Sequence, residues 1–497
     1  TWPDGYQWAA SYDWTGYYYD ASGVATYSRM LQMGMGNPLS PGDYVVGVIN
    51  YSGSSPMTYT LLSRGIGDGQ AIPVSSLAFA GSISNPAVAV GEAAYYRVEV
   101  PAGQSNWKLR LSSSVGESLL MLQRSNLPNV EASSASPASL NGGRKLQKAG
   151  NEHYLLLPEP GQTTIPGGTY YVAIASEGQN PNGSRAGSNA CNATLASLGP
   201  LPSVALGSLG PIATTHSQSL EAGEIKLYDF VVPDGAQSIE LRLDDLVGTA
   251  YMSLRAGTSS PTPYYSYGRN GGTSYSWANS RIITLANVAP GPYSLAVQAD
   301  PASDASYTLR ARQSPPADLA FDASLSGSGI TNAASGSLVN LQMQYFRVTV
   351  PALFKGQTVL GWKLDLERTV GNARMRVRKD ALPQDSGYDT SPYNTSQATI
   401  VPPYLTAGTW FVEVQGQGSS DFTIRSSALV AERPAWAMPE VGGAVSTPGL
   451  PPAGPLFGDT GVGTNGTALP GDQGIDLEQG RFHYYAIQIP SNNVGII

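Results

Sequence analysis

The chain is poor in the residue types on which most catalytic and metal-binding sites depend. Its 497 residues include one cysteine and three histidines. A single cysteine excludes a disulfide within the chain, and no base accompanies Cys191 in a nucleophile motif. His153, His216 and His483 lie far apart, without the spacing of a metal site. No phosphate-binding loop, dinucleotide fingerprint or serine nucleophile elbow occurs, so we expect a protein that is not an enzyme.

Long apolar runs and an excess of positive charge are missing too. No stretch of about 18 apolar residues occurs, which argues against a transmembrane helix. The net charge of −8 argues against duplex nucleic acid as a partner, because that binding needs clustered lysine and arginine. A short basic cluster at residues 374–379 alternates its cations, which is typical of the solvated face of a strand.

Glycine, proline and strand-forming residues are abundant by comparison. The chain has 57 glycines and 37 prolines, with 41% hydrophobic residues. This composition favours short strands joined by many turns, and no long stretch shows the period of a helix. The composition therefore predicts an all-β protein.

One strand-like motif, which we call the opener, occurs four times. It alternates apolar and polar residues, starts with aromatic or leucine residues and ends at a proline. The copies are residues 95–101, 227–233, 345–351 and 484–490. They are spaced about 120 to 140 residues apart. A period of domain size indicates an array of similar modules, since solenoid repeats are only about 20–50 residues long.

A second motif, which we call the closer, repeats out of phase with the first. A glycine-containing turn leads into a strand of aromatic and β-branched residues, a hairpin-type signal. The copies are residues 41–48, 167–174, 290–297 and 407–414. The chain thus begins with a closer and ends just after an opener. We expect it to be a piece of something longer; alternatively, the last opener of one copy could complete the first module of another by strand addition.

The two motifs divide the chain into modules. We predict a partial module at 1–64, complete modules at 65–198, 199–313 and 314–430, and a linker with the start of a further module at 431–497. Seven or slightly more strands of a complete module fit a jelly-roll or β-sandwich, with Pro/Gly-rich linkers between modules that add an edge strand. In the second complete module the predicted strands are 225–232, 238–243, 250–255, 264–267, 281–285, 293–298 and 307–312.

These repeats resemble the bacterial pre-peptidase C-terminal domain, a jelly-roll β-sandwich of secreted peptidases and other surface proteins. The family's opening pattern, Tyr-x-Phe-x-Val-Pro, matches residues 228–233. Its middle strand matches loosely at 248–255, and its closing Ala-Gly-Thr-Tyr-x-Val-x-Val matches best at 407–414. The resemblance covers most of the chain apart from the linkers. It implies tandem secreted or cell-surface sandwiches.

Calcium is the candidate cofactor. This cation prefers about six to eight oxygen ligands, and Asp244, Asp245 and Asp304 could supply some of them. A second candidate is the loop with Asp380, Asp385 and Asp389. Relatives of the resembled family bind calcium through acidic loops, but their Gly-Asp-Ala-Asp motif is absent at the matching position here. The alternative is that these aspartates only support turns.

Aromatic clusters are the candidate interface. Trp2, Trp8 and Trp14 crowd the start of the chain, and Tyr264 and Tyr265 precede a later closer. Exposed aromatic rings can stack on sugars or pack against a protein partner, although they also serve as core and cross-strand pairs. The last opener contributes two more candidates, Phe482 and Tyr484.

These patterns predict a non-catalytic extracellular protein with a structural or adhesive role, a segment of a bacterial surface filament, stalk or fibre assembled through β-sandwich modules. Its partners would be copies or neighbouring modules of the same protein, or a surface polysaccharide. The alternative is a set of substrate- or cell-wall-binding modules at the end of a secreted peptidase or glycosidase.

Overall fold

The fold was derived from a computed structural model of the chain. It describes residues 17–19, 25–27, 41–43, 54–88, 93–128, 143–178, 190–321, 333–384, 387–389, 396–430, 436–438 and 485–487. Within these ranges the regular secondary structure consists of β-strands without a helix, which confirms the predicted all-β class. No helix suited to crossing a membrane is found among the described residues.

The chain divides into two compact units. The first contains a complete sandwich and most of a second one, and the other contains a third sandwich together with two short pieces of the second. The first unit is Thr1–Asp234, Leu241–Ile283 and Pro290–Arg312, and the second unit is Gly235–Glu240, Thr284–Ala289 and Gln313–Ile497.

The first sandwich packs a five-stranded sheet of order β3-β5-β10-β7-β8 against a sheet of order β9-β6-β11-β4. Buried residues of both sheets, such as Val98, Leu109 and Leu195, form one core. A separate strand pair precedes it. The strands are β1 (Tyr17–Tyr19), β2 (Ala25–Tyr27), β3 (Val74–Ser76), β4 (Ala80–Val88), β5 (Ala93–Val100), β6 (Trp107–Val115), β7 (Glu117–Arg124), β8 (Arg144–Leu146), β9 (Glu152–Leu156), β10 (Gly168–Gly178) and β11 (Cys191–Leu198).

The second sandwich repeats this plan with sheets of order β12-β14-β20-β16-β18 and β13-β21-β15-β19. Six of its predicted strands are confirmed, but the prediction for residues 264–267 is wrong, because this segment belongs to a long excursion between β16 and β18. The strands are β12 (Ser203–Ser208), β13 (Thr214–Leu220), β14 (Ile225–Val232), β15 (Ser238–Val247), β16 (Ala250–Ala256), β17 (Arg269–Asn270), β18 (Trp277–Asn279), β19 (Ile282–Ala286), β20 (Gly291–Ala299) and β21 (Ala305–Gln313).

The third sandwich has sheets of order β22-β24-β29-β27 and β23-β30-β26-β25, with β28 paired to β26. A further strand pair lies near the end of the chain. The strands are β22 (Ala317–Asp318), β23 (Ala333–Leu338), β24 (Met343–Val350), β25 (Leu353–Phe354), β26 (Gln357–Val370), β27 (Ala373–Lys379), β28 (Gln397–Ile400), β29 (Gly408–Gly416), β30 (Ser420–Val430), β31 (Trp436–Met438) and β32 (Tyr485–Ile487).

The opener and the closer are hydrogen-bonded neighbours in every complete sandwich. The last opener residue before the proline lies opposite the first glycine of the closer strand: the pairs are Val100–Gly168, Val232–Gly291 and Val350–Gly408. These glycines have φ of +118°, +128° and +138°, a backbone region that other residues rarely adopt. The two repeated motifs are therefore the two strands of one antiparallel pair, which we call the opener–closer ladder.

The linkers add an edge strand to the sheet that follows, as the sequence predicts. β3, β12 and β22 each pair in parallel with the next opener. β31 pairs with β32, which lies within the fourth opener, in the same parallel way.

Candidate functional site at the junctions between sandwiches

Charged side chains meet where the first and second sandwiches join, inside the first unit. On β6, Trp107, Leu109 and Leu111 are buried in the core, so the alternating Lys108 and Arg110 project from the opposite face of the sheet. Lys108 forms an ion pair with Glu224, which immediately precedes β14, the strand of the second opener. Both side chains are largely withdrawn from solvent, with 10% and 22% of their surface exposed.

Glu221, three residues earlier, is held by three donors from the first sandwich. Arg110 binds it in a bidentate manner, with Nε 3.0 Å from Oε2 and Nη2 2.6 Å from Oε1. Asn151 Nδ2 donates to Oε2 at 3.0 Å. Partial burial tends to raise the pKa of Glu221, but the hydrogen bonds from Arg110 and Asn151 outweigh it and hold the pKa at about 2. The carboxylate thus stays ionised at neutral pH.

His153 contacts the same carboxylate, with Nε2 2.9 Å from Glu221 Oε2. The ring is only 3% exposed, and burial lowers its pKa to about 4 against the attraction of Glu224 and Glu221. The imidazole is therefore neutral at pH 7, and Nε2–H donates to Glu221.

Glu152 is a further acid of this junction and, unlike Glu221, is fully withdrawn from solvent. Its Oε1 accepts a hydrogen bond from the Lys148 backbone N–H at 2.8 Å, and its Oε2 accepts one from the Tyr267 hydroxyl of the second sandwich at 2.5 Å. Burial raises the pKa of Glu152 to about 7, because these donors only partly replace water. Adjacent residues on β9 thus have pKa values displaced in opposite directions.

A long excursion of the second sandwich, residues 257–276, reaches back to the first; we call it the arm. Within it β17 pairs in parallel with β9 and extends the sheet of the first sandwich. Leu155 N–H donates to Gly268 O at 2.8 Å, and Leu157 N–H donates to Asn270 O at 2.8 Å. A Cβ atom on Gly271 would lie 2.0 Å from Leu157 O, so this close approach requires glycine.

Apolar side chains complete the first junction. Leu155 and Leu157 of the first sandwich pack with Ile225, Leu227 and Ala296, which lie on the outer face of the second opener–closer ladder. The first sandwich buries the same face: Tyr95, Met121 and Ala173 pack with Ile66, Ile72 and Leu127. The opener–closer sheets of these two sandwiches are therefore apolar on both faces. The inner face forms a core, and the outer face packs against the linker in the first sandwich and against the preceding sandwich in the second.

The second unit contains a polar contact at equivalent positions. Residues 107–111 read Trp-Lys-Leu-Arg-Leu, and residues 239–243 read Ile-Glu-Leu-Arg-Leu, so Glu240 corresponds to Lys108. Gln342 immediately precedes β24, as Glu224 precedes β14. Its Nε2 donates to Glu240 Oε2 at 2.9 Å. The same two positions thus meet again with different side chains.

The arm has a counterpart in this unit as well. Leu382, in the loop after β27, exchanges two hydrogen bonds with the Asn287 side chain, at 2.9 and 3.0 Å. Leu382 also packs with Tyr345 and Phe411, on the outer face of the third opener–closer ladder, and with Ala286. Both junctions therefore share three features. A loop follows the corresponding strand, β16 or β27, the outer face of the opener–closer ladder is apolar, and one polar contact lies just before that ladder.

The predicted metal ligands do not form a shared cluster. Asp244 forms ion pairs with Arg242 and, at 4.0 Å, with Arg310. Asp304 Oδ1 accepts the Ala222 N–H at 2.8 Å, and Asp245 has a positive φ of 53°. Across the described ranges no group of three or more His, Cys, Asp or Glu side chains is placed to hold a metal ion. Calcium binding stays a prediction.

Two of the predicted interface residues belong to the arm. Tyr264 stacks on Tyr251 with ring centroids 4.3 Å apart and is 42% exposed. The Tyr265 hydroxyl donates to Asp300 Oδ2 at 2.7 Å, and its carbonyl accepts from Arg269 Nε at 2.6 Å. Tyr265 thus ties the arm to Asp300, just after β20. The other predicted interface residues lie outside the described residues: Trp2, Trp8, Trp14, Phe482 and Tyr484.

The junction residues were not identified from the sequence. His153 is one of three scattered histidines, and no motif in the sequence singles out Glu221 or Glu224. A detectable signal was present: aligning residues 107–111 with 239–243 places charged residues at the same alternating positions, on the side away from the core.

Comparisons with known proteins do not assign the chain to a family. No family model matches it, and no curated protein sequence matches it significantly. The resemblance to the pre-peptidase C-terminal domain therefore stays a prediction from short motifs.

Two solved structures show similarity over part of the chain. The CUB1-EGF-CUB2 domains of rat MASP-1 share 9% identity over 48% of this chain and 99% of that chain, with a TM-score of 0.12. Tripeptidyl peptidase 2 shares 12% identity over 73% of this chain and 33% of that chain, with a TM-score of 0.14. These scores are too low to support any statement about function.

Proposed function

We propose that the chain is a non-catalytic structural array of β-sandwiches, a segment of a secreted or cell-surface stalk or filament. The observation that carries this proposal is the recurrence of the junction. Lys108 with Glu224 and Glu240 with Gln342 occupy equivalent positions, and a loop from the following module reaches back in both cases.

Such a junction suits a load-bearing role because it resists bending. A flexible linker leaves adjacent domains free to reorient, which is the default for small polar interfaces. Here Glu152 and His153 are buried at the junction, and β17 continues the sheet of the preceding sandwich. Bending there would expose ionisable groups and break backbone hydrogen bonds, so the first two sandwiches should behave as one stiff element.

Electron microscopy of the negatively stained chain tests this proposal. We expect class averages in which the first two sandwiches meet at a single angle. Particles in which these neighbouring sandwiches adopt a continuous range of angles would contradict a stalk and favour independent modules on flexible linkers.

A second candidate function is binding of a polysaccharide or cell wall, as in the tail of a secreted hydrolase. It is favoured by the exposed aromatic side chains of the arm region, Tyr264, Tyr275 and Trp277, which are 37–42% exposed. Cosedimentation with insoluble polysaccharides or isolated bacterial cell wall tests it. Binding that falls on Tyr264→Ala supports this role, and equal binding by the variant and the parent protein contradicts it at this surface.

A further inference from the structure

The strand β13 forms one edge of the sheet β13-β21-β15-β19. All seven of its residues pair with β21 without a register shift. Its other side pairs with no strand in the part of the chain that the structure describes. A regular edge of this length offers a row of backbone donors and acceptors to any further strand.

Natural edge strands are usually protected by charges, prolines or bulges. The sequence of β13, Thr-Thr-His-Ser-Gln-Ser-Leu, contains no proline and none of Asp, Glu, Lys or Arg. The equivalent edge of the first sandwich, β4, contains Pro86, and its pairing with β11 has a register shift. The central strand of the same sheet as β13, β15, carries four charged residues. In this sheet the charged residues thus lie on a strand that already has a neighbour on both sides, and the edge strand β13 carries none of them.

The side chains along this edge are suited to pairing with another strand. Thr215, Ser217 and Ser219 alternate on the exposed face, and the Ser217 hydroxyl lies 3.1 Å from that of Thr308 on the neighbouring strand. Ile212, just before the strand, is 87% exposed. Hydroxyl side chains cost less to desolvate than charged ones when a partner strand covers them, and burial of the exposed isoleucine would be favourable.

We propose that β13 pairs antiparallel with β13 of a second copy of the chain, about a two-fold axis at Ser217. In this register Thr215 lies opposite Ser219 of the second copy, and Ser217 lies opposite its own counterpart. A strand that has no charge avoids like-charge pairs under this symmetry, whereas a charged edge strand would oppose itself. The two sheets then form one continuous sheet of eight strands. The pairing would give the proposed structural array a lateral contact and rests on that role.

Charge substitutions at the symmetry axis test the pairing. Sedimentation velocity on the full chain should show a concentration-dependent dimer, which both Ser217→Lys and Ser217→Glu reduce to monomer by like-charge repulsion. Mixing the two variants should restore a dimer, because opposite charges then meet. Ser84→Lys is the matched control. Ser84 lies on the protected edge β4, and its hydroxyl is 3.2 Å from that of Thr194 on the neighbouring strand, as the Ser217 hydroxyl is close to that of Thr308. This substitution should leave the dimer intact.

Several outcomes would overturn the pairing. These are a monomeric parent chain at every concentration, a dimer that survives Ser217→Lys, and a dimer that Ser84→Lys abolishes equally. Dimer formation that Ser217→Lys removes but the mixture does not restore would assign the edge to a different register and overturn the two-fold arrangement at Ser217. Circular dichroism of each variant separates loss of pairing from loss of folding. A fixed angle between the first two sandwiches with no dimer would retain the stalk and reject only the lateral contact.

Discussion

The two sets of junction contacts use the same positions but different chemistry. In the first unit the contact before the opener joins two opposite charges, Lys108 and Glu224, whereas in the second unit a neutral amide, Gln342, donates to the buried Glu240. The first is reinforced by a strand that continues the neighbouring sheet, and the second by the two hydrogen bonds of Asn287. The geometry is thus repeated while the side chains are not, and the backbone plan sets where modules meet.

This difference explains why the repeat is visible in the openers and closers but not in the junctions. Alternating apolar residues and a glycine of positive φ are needed in every sandwich, so these positions look alike. A junction needs only matched partners, and a lysine with a glutamate or a glutamate with a glutamine both satisfy that requirement.

The largest expected effect comes from disrupting the arm. Gly271→Ala places a Cβ about 2.0 Å from Leu157 O and should detach β17 from β9. Losing a few hydrogen bonds of about 1 kcal/mol each, with the cost of a positive φ, predicts a loss of about 4 kcal/mol in the free energy of unfolding. Urea unfolding measures it.

Gly257→Ala is the matched control for that change. Gly257 lies in the same excursion at φ of +104°, but a Cβ there meets no atom within 4 Å. It should cost only the backbone strain, about 1–2 kcal/mol. Equal losses for the two variants would show that the close approach of the arm contributes nothing.

The second effect compares the two polar contacts by double-mutant cycles. Lys108→Met leaves Glu224 without its cation and should cost about 3 kcal/mol, most of which Glu224→Gln in the same chain recovers. The cycle of Gln342→Met with Glu240→Gln should give a smaller coupling, about 2 kcal/mol, because only one partner is charged. A larger coupling in the second cycle would contradict this ranking.

The third effect is a pH dependence of opposite sign for two adjacent residues. His153 has a lowered pKa, so its contribution to stability is lost as pH falls from 6.5 through 4. Glu152 has a raised pKa, so its contribution is lost as pH rises from 4.5 through 7. Each slope can reach about 1.4 kcal/mol per pH unit.

Two variants separate these slopes. Compared with the parent chain, His153→Gln should remove a rise in stability between pH 4 and 6.5, and Glu152→Gln should remove a fall between pH 4.5 and 7. Thermal melts across this range measure both. Variants whose stability runs parallel to that of the parent chain would contradict the assigned shifts.

The smallest effect on stability is expected at an exposed ion pair that occurs at corresponding positions in two modules. Arg347 contacts Asp318 at 2.7 Å, and Arg97 contacts Asp68 at 3.1 Å, in both cases between an opener and the linker before it. The side chains are largely exposed, and such pairs contribute little. Asp318→Ala should leave the urea midpoint unchanged; a clear shift would mean that recurrence alone, without burial, marks a stabilising contact.

Much of the fold followed from local patterns, and the site did not. The ladder between the openers and closers could be predicted because alternation, proline and glycine each restrict the backbone locally. The failed prediction at residues 264–267 shows the limit: Tyr264 and Tyr265 have the composition of a strand, but stacking on Tyr251 and the hydrogen bond to Asp300 hold them in the arm. Likewise, the burial of Glu152 and His153 depends on residues distant in the sequence, so no local pattern predicts it.

The rigidity of the first junction can be measured as a distance between two spin labels. Ser82 on β4 and Ser208 on β12 are exposed positions in the first and second sandwiches, and the only cysteine, Cys191, is fully buried. Labels on Ser82→Cys and Ser208→Cys should give one narrow distance distribution by pulsed electron paramagnetic resonance. It should broaden with Gly271→Ala and not with Gly257→Ala. A broad distribution in the chain with Gly257 and Gly271 intact would contradict a docked junction.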